Sequence, residues 1–378
     1  MGNKEYKTSE EVKQRAEEAI GHSFKEIFEL ARKFQQENGL KEKHGKGDIG
    51  QAYEEGWFNY ACNEEAEPDF NDADVELKVT PFLINSRGYR AKERLSLGKI
   101  NYRDENWNEY EESRFWTKNH HLLVMYYQYI RNVKREEFSV EKVDEILLEE
   151  LPERDQMIIQ HDWEKIARYV KAGKAHELSE RDFMYLSPAR KGAGGDEKVK
   201  YNDKYPKAKP RAYSFKKSYM TKLFNERMLT TEEISYILPD TVLSKEKEFD
   251  DILIETLKPY LGRTVESLKK EFPNYRNGYS DKNDIVKQIY KSENDLEETD
   301  EFQKANYKLR TLTVDEKGTP TQDMPFSAFD FEGLLKEKNW TESIAYDEMV
   351  DSKFLLVIFS KNAEGLSLIH ISEPTRLL

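Results

Sequence analysis

The sequence predicts an α/β protein of two domains, and three observations carry that expectation. Val75 to Thr80 alternates, with Val75, Leu77 and Val79 on one face and Glu76, Lys78 and Thr80 on the other, as a half-buried strand requires. Leu122-Leu123-Val124-Met125-Tyr126-Tyr127 is a short apolar run that reads as a fully buried central strand. A weaker copy of both follows in the last third of the chain, with helical segments between them.

The 378 residues suffice for two domains, each with its own core. Aromatics at 12% argue for a folded chain rather than a disordered one. The first residues hold no apolar stretch of the secretory kind, and no run is long enough to span a bilayer. A lone cysteine, Cys62, excludes disulfide stapling within the chain. A soluble intracellular protein, hence a cytoplasmic one, is expected. The net charge of -13 does not suggest a nucleic-acid binder, but a local basic patch decides that question, not the total.

Taken in order, Thr8-Ser9-Glu10-Glu11 and Ser23-Phe24-Lys25-Glu26 are capping boxes that open two helices. Gly21 and Gly39 are their natural stops. Phe82 to Arg94 and Leu97 to Arg103 read as extended strands punctuated by Gly88 and Gly98. Glu141 to Leu148 and Asp155 to Ala172 read as helices. His120 and His121 are adjacent, so on a strand they point to opposite faces and make a poor chelating pair.

The chemistry concentrates ahead of the first strand. Asp69, before the turn Asn71–Asp74, can fold back towards Glu76, and Lys78 shares the strand's polar face. Two carboxylates and a lysine at one strand end suit a divalent metal, and Mg2+ takes one or two carboxylates with water and phosphate oxygens. The lysine would orient or help deprotonate an attacking water. Upstream, Lys46-Gly47-Asp48-Ile49-Gly50-Gln51-Ala52-Tyr53-Glu54 is a glycine-punctuated helix entry that could add Glu54 as a third carboxylate.

These three stretches, Lys46 to Glu54, Pro68-Asp69-Phe70 and Val75-Glu76-Leu77-Lys78, resemble the active-site block of the MutH group of endonucleases. The group joins a mismatch-repair nicking enzyme and Sau-type restriction enzymes that cut at GATC, within the PD-(D/E)xK superfamily. The resemblance implies a restriction-endonuclease-like fold, a mixed sheet flanked by helices, and Mg2+-dependent cutting of double-stranded DNA. It assigns Glu54, Asp69 and Glu76 as acidic catalytic residues, Asp69 and Glu76 as the metal ligands, and Lys78 as the catalytic lysine. Lys118 falls where the family has a further lysine near the site, and Lys46 falls at a DNA contact. Asp162-Trp163-Glu164-Lys165-Ile166 resembles a helix start of the same family.

Beyond the flexible loop Ser187 to Gly195, lysines and arginines interleave with tyrosines up to Tyr219, a composition suited to phosphate contact on a duplex. Pro210 to Tyr219 also resembles the DNA-reading end of the MutH domain. Arg211 is therefore a candidate for a guanine edge, with Tyr213, Lys216 and Lys217 as further DNA contacts.

The second copy keeps the pattern and loses the chemistry. Tyr307-Lys308-Leu309-Arg310-Thr311 falls where Val75-Glu76-Leu77-Lys78-Val79 stood, and Lys353 to Phe359 echoes the Leu122 strand. Lys308 and Arg310 cannot ligate Mg2+, and Tyr290 or Lys291 stands where Glu54 did. The expected organisation is a catalytic domain over 1–230, a linker over 231–248, a degenerate and truncated MutH-like domain over 249–365, and an artefactual tail over 366–378. A longer natural gene is expected, and poor folding of the second domain in isolation. In the Sau-type enzymes such a domain is taken to engage a further DNA site, which favours restriction and leaves dimerisation open. The alternatives are a mismatch-repair nickase, a non-catalytic DNA-binding regulator, and an acidic interaction protein with a chance motif.

Overall fold

Capping chemistry sets the first helices of the computed structural model. It describes residues 4–40, 48–61, 67–85, 88–103, 106–191, 199, 201, 204–228, 248–275, 281–292, 294–324, 326, 346, 349–350, 352–362 and 365–375. Helix α1 (Ser9–Glu17) starts where the Thr8 hydroxyl accepts from the Glu11 amide. Helix α2 (Phe24–Asn38) starts at a reciprocal capping box between Ser23 and Glu26 and ends on Gly39 in the left-handed conformation. Helix α3 (Asp48–Ala52) runs into one π-helical turn, Tyr53–Trp57.

Strand β1 (Glu76–Asn85) follows, then β2 (Gly88–Ala91), β3 (Leu95–Lys99), α4 (Arg114–Asn119), β4 (His121–Gln128) and β5 (Val140–Leu147). The order β2-β1-β4-β5 is a mixed sheet, because β1 and β4 run parallel while both outer pairings are antiparallel. Glu76 lies opposite Leu122 and Lys78 opposite Val124. The apolar run that reads as a central strand is β4, with Leu122 to Tyr126 all buried. Val12, Phe24, Ile27, Tyr53, Phe70 and Leu123 meet in the core between the first helices and this sheet.

The helix expected over Glu141–Leu148 is instead β5. Its Glu, Lys and Asp content favours helix locally, but seven residues pair with β4, and Val140 and Ile146 bury beneath it. Helix α5 (Glu153–Lys171) does form, and it starts well ahead of Asp162. Asp162 lies mid-helix and buried, where its carboxylate accepts the amides of Met184, Tyr185 and Leu186. That anchor sets the entry to β6 (Leu186–Arg190), which pairs with β7 (Arg211–Phe215) in the sheet β3-β7-β6, before α6 (Lys217–Met228).

The chain divides into two units, Met1–Met228 and Leu229–Leu378. The second holds α7 (Phe249–Leu257), α8 (Val265–Glu271), α9 (Asp281–Ile289), α10 (Asp300–Ala305), β8 (Tyr307–Val314), β9 (Lys353–Asn362) and β10 (Gly365–Thr375). Strands β8 and β9 run parallel, as β1 and β4 do, and β10 pairs antiparallel with β9. Of the segment expected to be a foreign tail, residues through Thr375 lie in β10. The expected linker lies outside the described residues except for Glu248.

Candidate active site

A tight reversal ahead of β1 brings the acidic residues together. Phe70 and Val75 exchange both backbone hydrogen bonds around the short turn Asn71–Ala73. Asp74 closes that turn in the left-handed conformation, with φ 56°, which aspartate tolerates. The turn folds Asp69 back on the start of β1. Leu77 donates its amide to Asp69 Oδ2 at 3.1 Å, and Asp69 donates its own amide to Glu76 Oε2 at 3.0 Å. The two carboxylates are thereby fixed side by side by backbone bonds. The expectation that Asp69 folds back to Glu76 matches this geometry.

Two lysines neutralise the pair. Lys78 Nζ bonds Glu76 Oε1. Lys118, from the end of α4, sits 3.1 Å from Glu76 Oε2 and 4.0 Å from Asp69 Oδ1, and donates to the Glu67 carbonyl at 2.7 Å. Glu54 lies in the π-helical turn, half-buried, and its charge reaches Lys78. One glycine makes the approach of that turn possible. A Cβ on Gly56 would lie 2.5 Å from the Ala31 nitrogen and 2.8 Å from the Ile27 carbonyl oxygen of α2. Beside it, buried Glu55 accepts from the amide groups of Gln35 and Gln51, so the turn is clamped on the side away from the site.

The electrostatics separate the two carboxyls. Burial, together with the neighbouring Glu76 charge, pushes Asp69 up to about 6. Burial also pushes Glu76 up, but Lys78 and Lys118 outweigh it and hold that carboxyl below its ordinary range. Burial pulls the Lys78 ammonium down, and Glu76, Asp69 and Glu54 more than reverse that. A pair in which one carboxyl is held ionised and the other poised near neutrality is a common sign of a working site.

The expected DNA contacts distribute differently. Arg211 is buried, and its guanidinium donates to the carbonyls of Pro188 and Leu178. Tyr213 is buried against Phe115, and Lys216 donates its ammonium to the Phe183 carbonyl. These three expected duplex contacts are buried and paired inside the fold, with the carbonyls of Pro188, Leu178 and Phe183 and the Phe115 ring, while Arg211 also lines one wall of a cavity with Lys99 and Lys191. Lys217 is half-buried at the start of α6, while Lys204 and Lys207 are exposed. Lys46 and Cys62 lie outside the described residues. His120 and His121 do not converge: the first reaches Asp74 Oδ2 and the second Glu145 Oε1.

The sequence reading missed Lys191 and Lys99. They line a cavity of about 370 Å³ with Asn101, Arg103 and Tyr201. Burial pulls the Lys191 ammonium down, and the charges of Lys99 and Lys78 add to that, so this basic cavity lies within electrostatic reach of Lys78. The pair Arg190-Lys191 ahead of a glycine-rich stretch was the available signal.

A family model described as the DNA mismatch repair enzyme MutH matches residues 58–162, the span that holds Asp69, Glu76, Lys78 and Lys118. The chain is 32% identical over 382 residues to the type II restriction enzyme Sau3AI of Staphylococcus aureus, covering 96% of this chain and 74% of that protein. The chain belongs to the MutH/Sau-type endonuclease family. It is a type II site-specific deoxyribonuclease, and DNA is its partner. No helix among the described residues is long and apolar enough to cross a membrane.

Restriction endonucleases generally use a divalent metal. Among the described residues no three His, Cys, Asp or Glu side chains converge on one point. The donor set nevertheless fits a hard cation, because two carboxylates are what such an ion takes when water and phosphate supply the other oxygens.

Proposed function

We propose that this chain hydrolyses phosphodiester bonds of double-stranded DNA at GATC with Mg2+ as cofactor, within the cytoplasm. The observation that carries the reading is the pairing of Asp69 with Glu76 through the Leu77 and Asp69 amides, with Lys78 on Glu76. Asp69 and Glu76 would hold the metal, and Glu54 would assist from the π-helical turn. When bound, the metal supplies positive charge to the scissile phosphate and lowers the pKa of a water. Lys78 would orient the attacking water. As the water oxygen bonds to phosphorus, the P–O bond to the leaving sugar oxygen breaks, the water's proton passes to solvent, and the leaving oxygen takes a proton from solvent. Lys118 leaves Glu76 for a phosphate oxygen as DNA enters. Lys46 and Lys217 contact the duplex backbone, and Lys99 and Lys191 line its path beside Lys78. GATC as target rests on the resemblance to the Sau-type group.

In this reading the first unit, about 1–230, cuts, and the second, about 249–365, is a degenerate copy that engages further DNA or a second copy of the chain. The test is digestion of unmethylated plasmid in Mg2+. The expected result is a discrete GATC ladder that EDTA abolishes. Nicked circles alone would move the reading to a mismatch-repair type of nickase, which the family match over residues 58–162 also supports. Retained binding with no cutting would make the chain a DNA-binding regulator.

A further inference from the structure

The start of β8 in the second unit repeats the geometry of the start of β1. Lys308 lies opposite Phe354 and Arg310 opposite Leu356 on a parallel neighbour, as Glu76 and Lys78 lie opposite Leu122 and Val124. Two residues ahead of each strand's key side chain the backbone turns left-handed, at Asp74 with φ 56° and at Asn306 with φ 57°. The amide between the two key residues finds a carboxylate in both units. Leu77 donates to Asp69 Oδ2 at 3.1 Å, and Leu309 donates to Glu297 Oε1 at 3.0 Å.

Glu297 therefore stands where Asp69 stands, a correspondence hidden in the sequence by the extra helix α10 between it and the strand. One acid of the pair is kept, while the strand presents two cations. Arg310 Nη1 lies 2.7 Å from Glu297 Oε1, and Lys308 Nζ lies 3.4 Å from Glu297 Oε2. Solvent reaches Lys308 and Glu297, whose side chains are 23% and 34% exposed, while Arg310 behind them is 12% exposed. Two fixed cations braced on one carboxylate leave a net positive charge where the first unit has a metal-binding pair. The Lys308 ammonium, with three donors, is a group that takes phosphate oxygens, and Arg310, whose Nη1 also donates to the Leu309 carbonyl, adds a fixed positive charge beside it.

We propose that Lys308 and Arg310, braced by Glu297, form a phosphate site that needs no metal, with the Lys308 ammonium in the role the metal takes in the first unit. The ligand is a backbone phosphodiester of duplex DNA. This rests on the reading of the chain as a DNA-cutting enzyme, and it adds how the second unit would hold a phosphate and under what conditions.

The test is binding of a fluorescein-labelled duplex to the full chain in EDTA, across a salt series, for wild type, Lys308→Gln, Arg310→Gln and Lys308→Arg. Each glutamine variant is expected to lower the slope of log affinity against log salt by about 1. Lys308→Arg is expected to keep the wild-type slope, which separates lost charge from lost folding. Unchanged slopes and affinities in EDTA would overturn the proposal, as would an effect seen only when Mg2+ is present. Inorganic phosphate is expected to compete only weakly, and displacement of the duplex by low phosphate would mean a free-anion site instead. Cutting in Mg2+ is read separately: a chain that cuts with no change of slope refutes this site alone, and a change of slope without cutting refutes the nuclease reading alone.

Discussion

At the scale of the residue, Asp69 works against the fold it belongs to. Its carboxyl titrates near 6 in the folded, metal-free chain and near 3.9 when unfolded. Below about 3.9 it is protonated in both states and costs nothing. Above about 6 the folded state carries the charge in a buried place at a cost of up to about 3 kcal/mol. Asp69→Asn is therefore expected to raise the melting temperature in EDTA at pH 7.5, and the gain should vanish by pH 4. Equal melting curves at pH 7.5 would refute the coupled carboxylate pair. In the proposed mechanism the same variant should lose cutting, since a neutral amide would replace the carboxylate proposed to hold the metal. Asp69, Glu76 and Lys78 were legible in the sequence because a turn and a strand place them by local rules. The burial of Arg211 was not. Its partners, the carbonyls of Pro188 and Leu178, are set by tertiary packing that composition does not encode.

At the scale of the element, the π-helical turn Tyr53–Trp57 aims Glu54, and Gly56 lets that turn press on α2. Gly56→Ala forces a methyl against backbone rather than against a yielding side chain. It should destabilise the protein by about 1–3 kcal/mol in denaturant unfolding. A variant as stable as wild type would mean that the helices can part without cost. Glycine at position 56 gave no such hint in the sequence, because only the approach of α2 makes it necessary. Strand β5 was misread for a related reason. Its polar residues suit a helix in isolation, and pairing along β4 overrides that preference. By contrast, the caps at Thr8 and Ser23 are local, and both formed where the sequence placed them.

At the scale of the whole molecule, one strand plan is used twice with one charge reversed, Glu76 in the first unit and Lys308 in the second, while Lys78 and Arg310 are both cations. A parallel strand pair presents Glu76 and Lys78 in the first unit, and Lys308 and Arg310 in the second. Repetition of the strands was visible in the sequence, but the survival of one acid as Glu297 was not, since α10 shifts its spacing. The proposed division of labour puts the divalent metal in the first unit and a metal-free phosphate contact in the second. The measurement that tests this most directly is single-turnover cleavage of an unmethylated duplex with one GATC by Glu76→Ala in Mg2+, beside its duplex binding. Loss of metal-borne charge stabilisation is expected to slow cutting by about a thousandfold while binding persists. Cutting by Glu76→Ala at the wild-type rate would contradict the account, because the reaction would then run at another site.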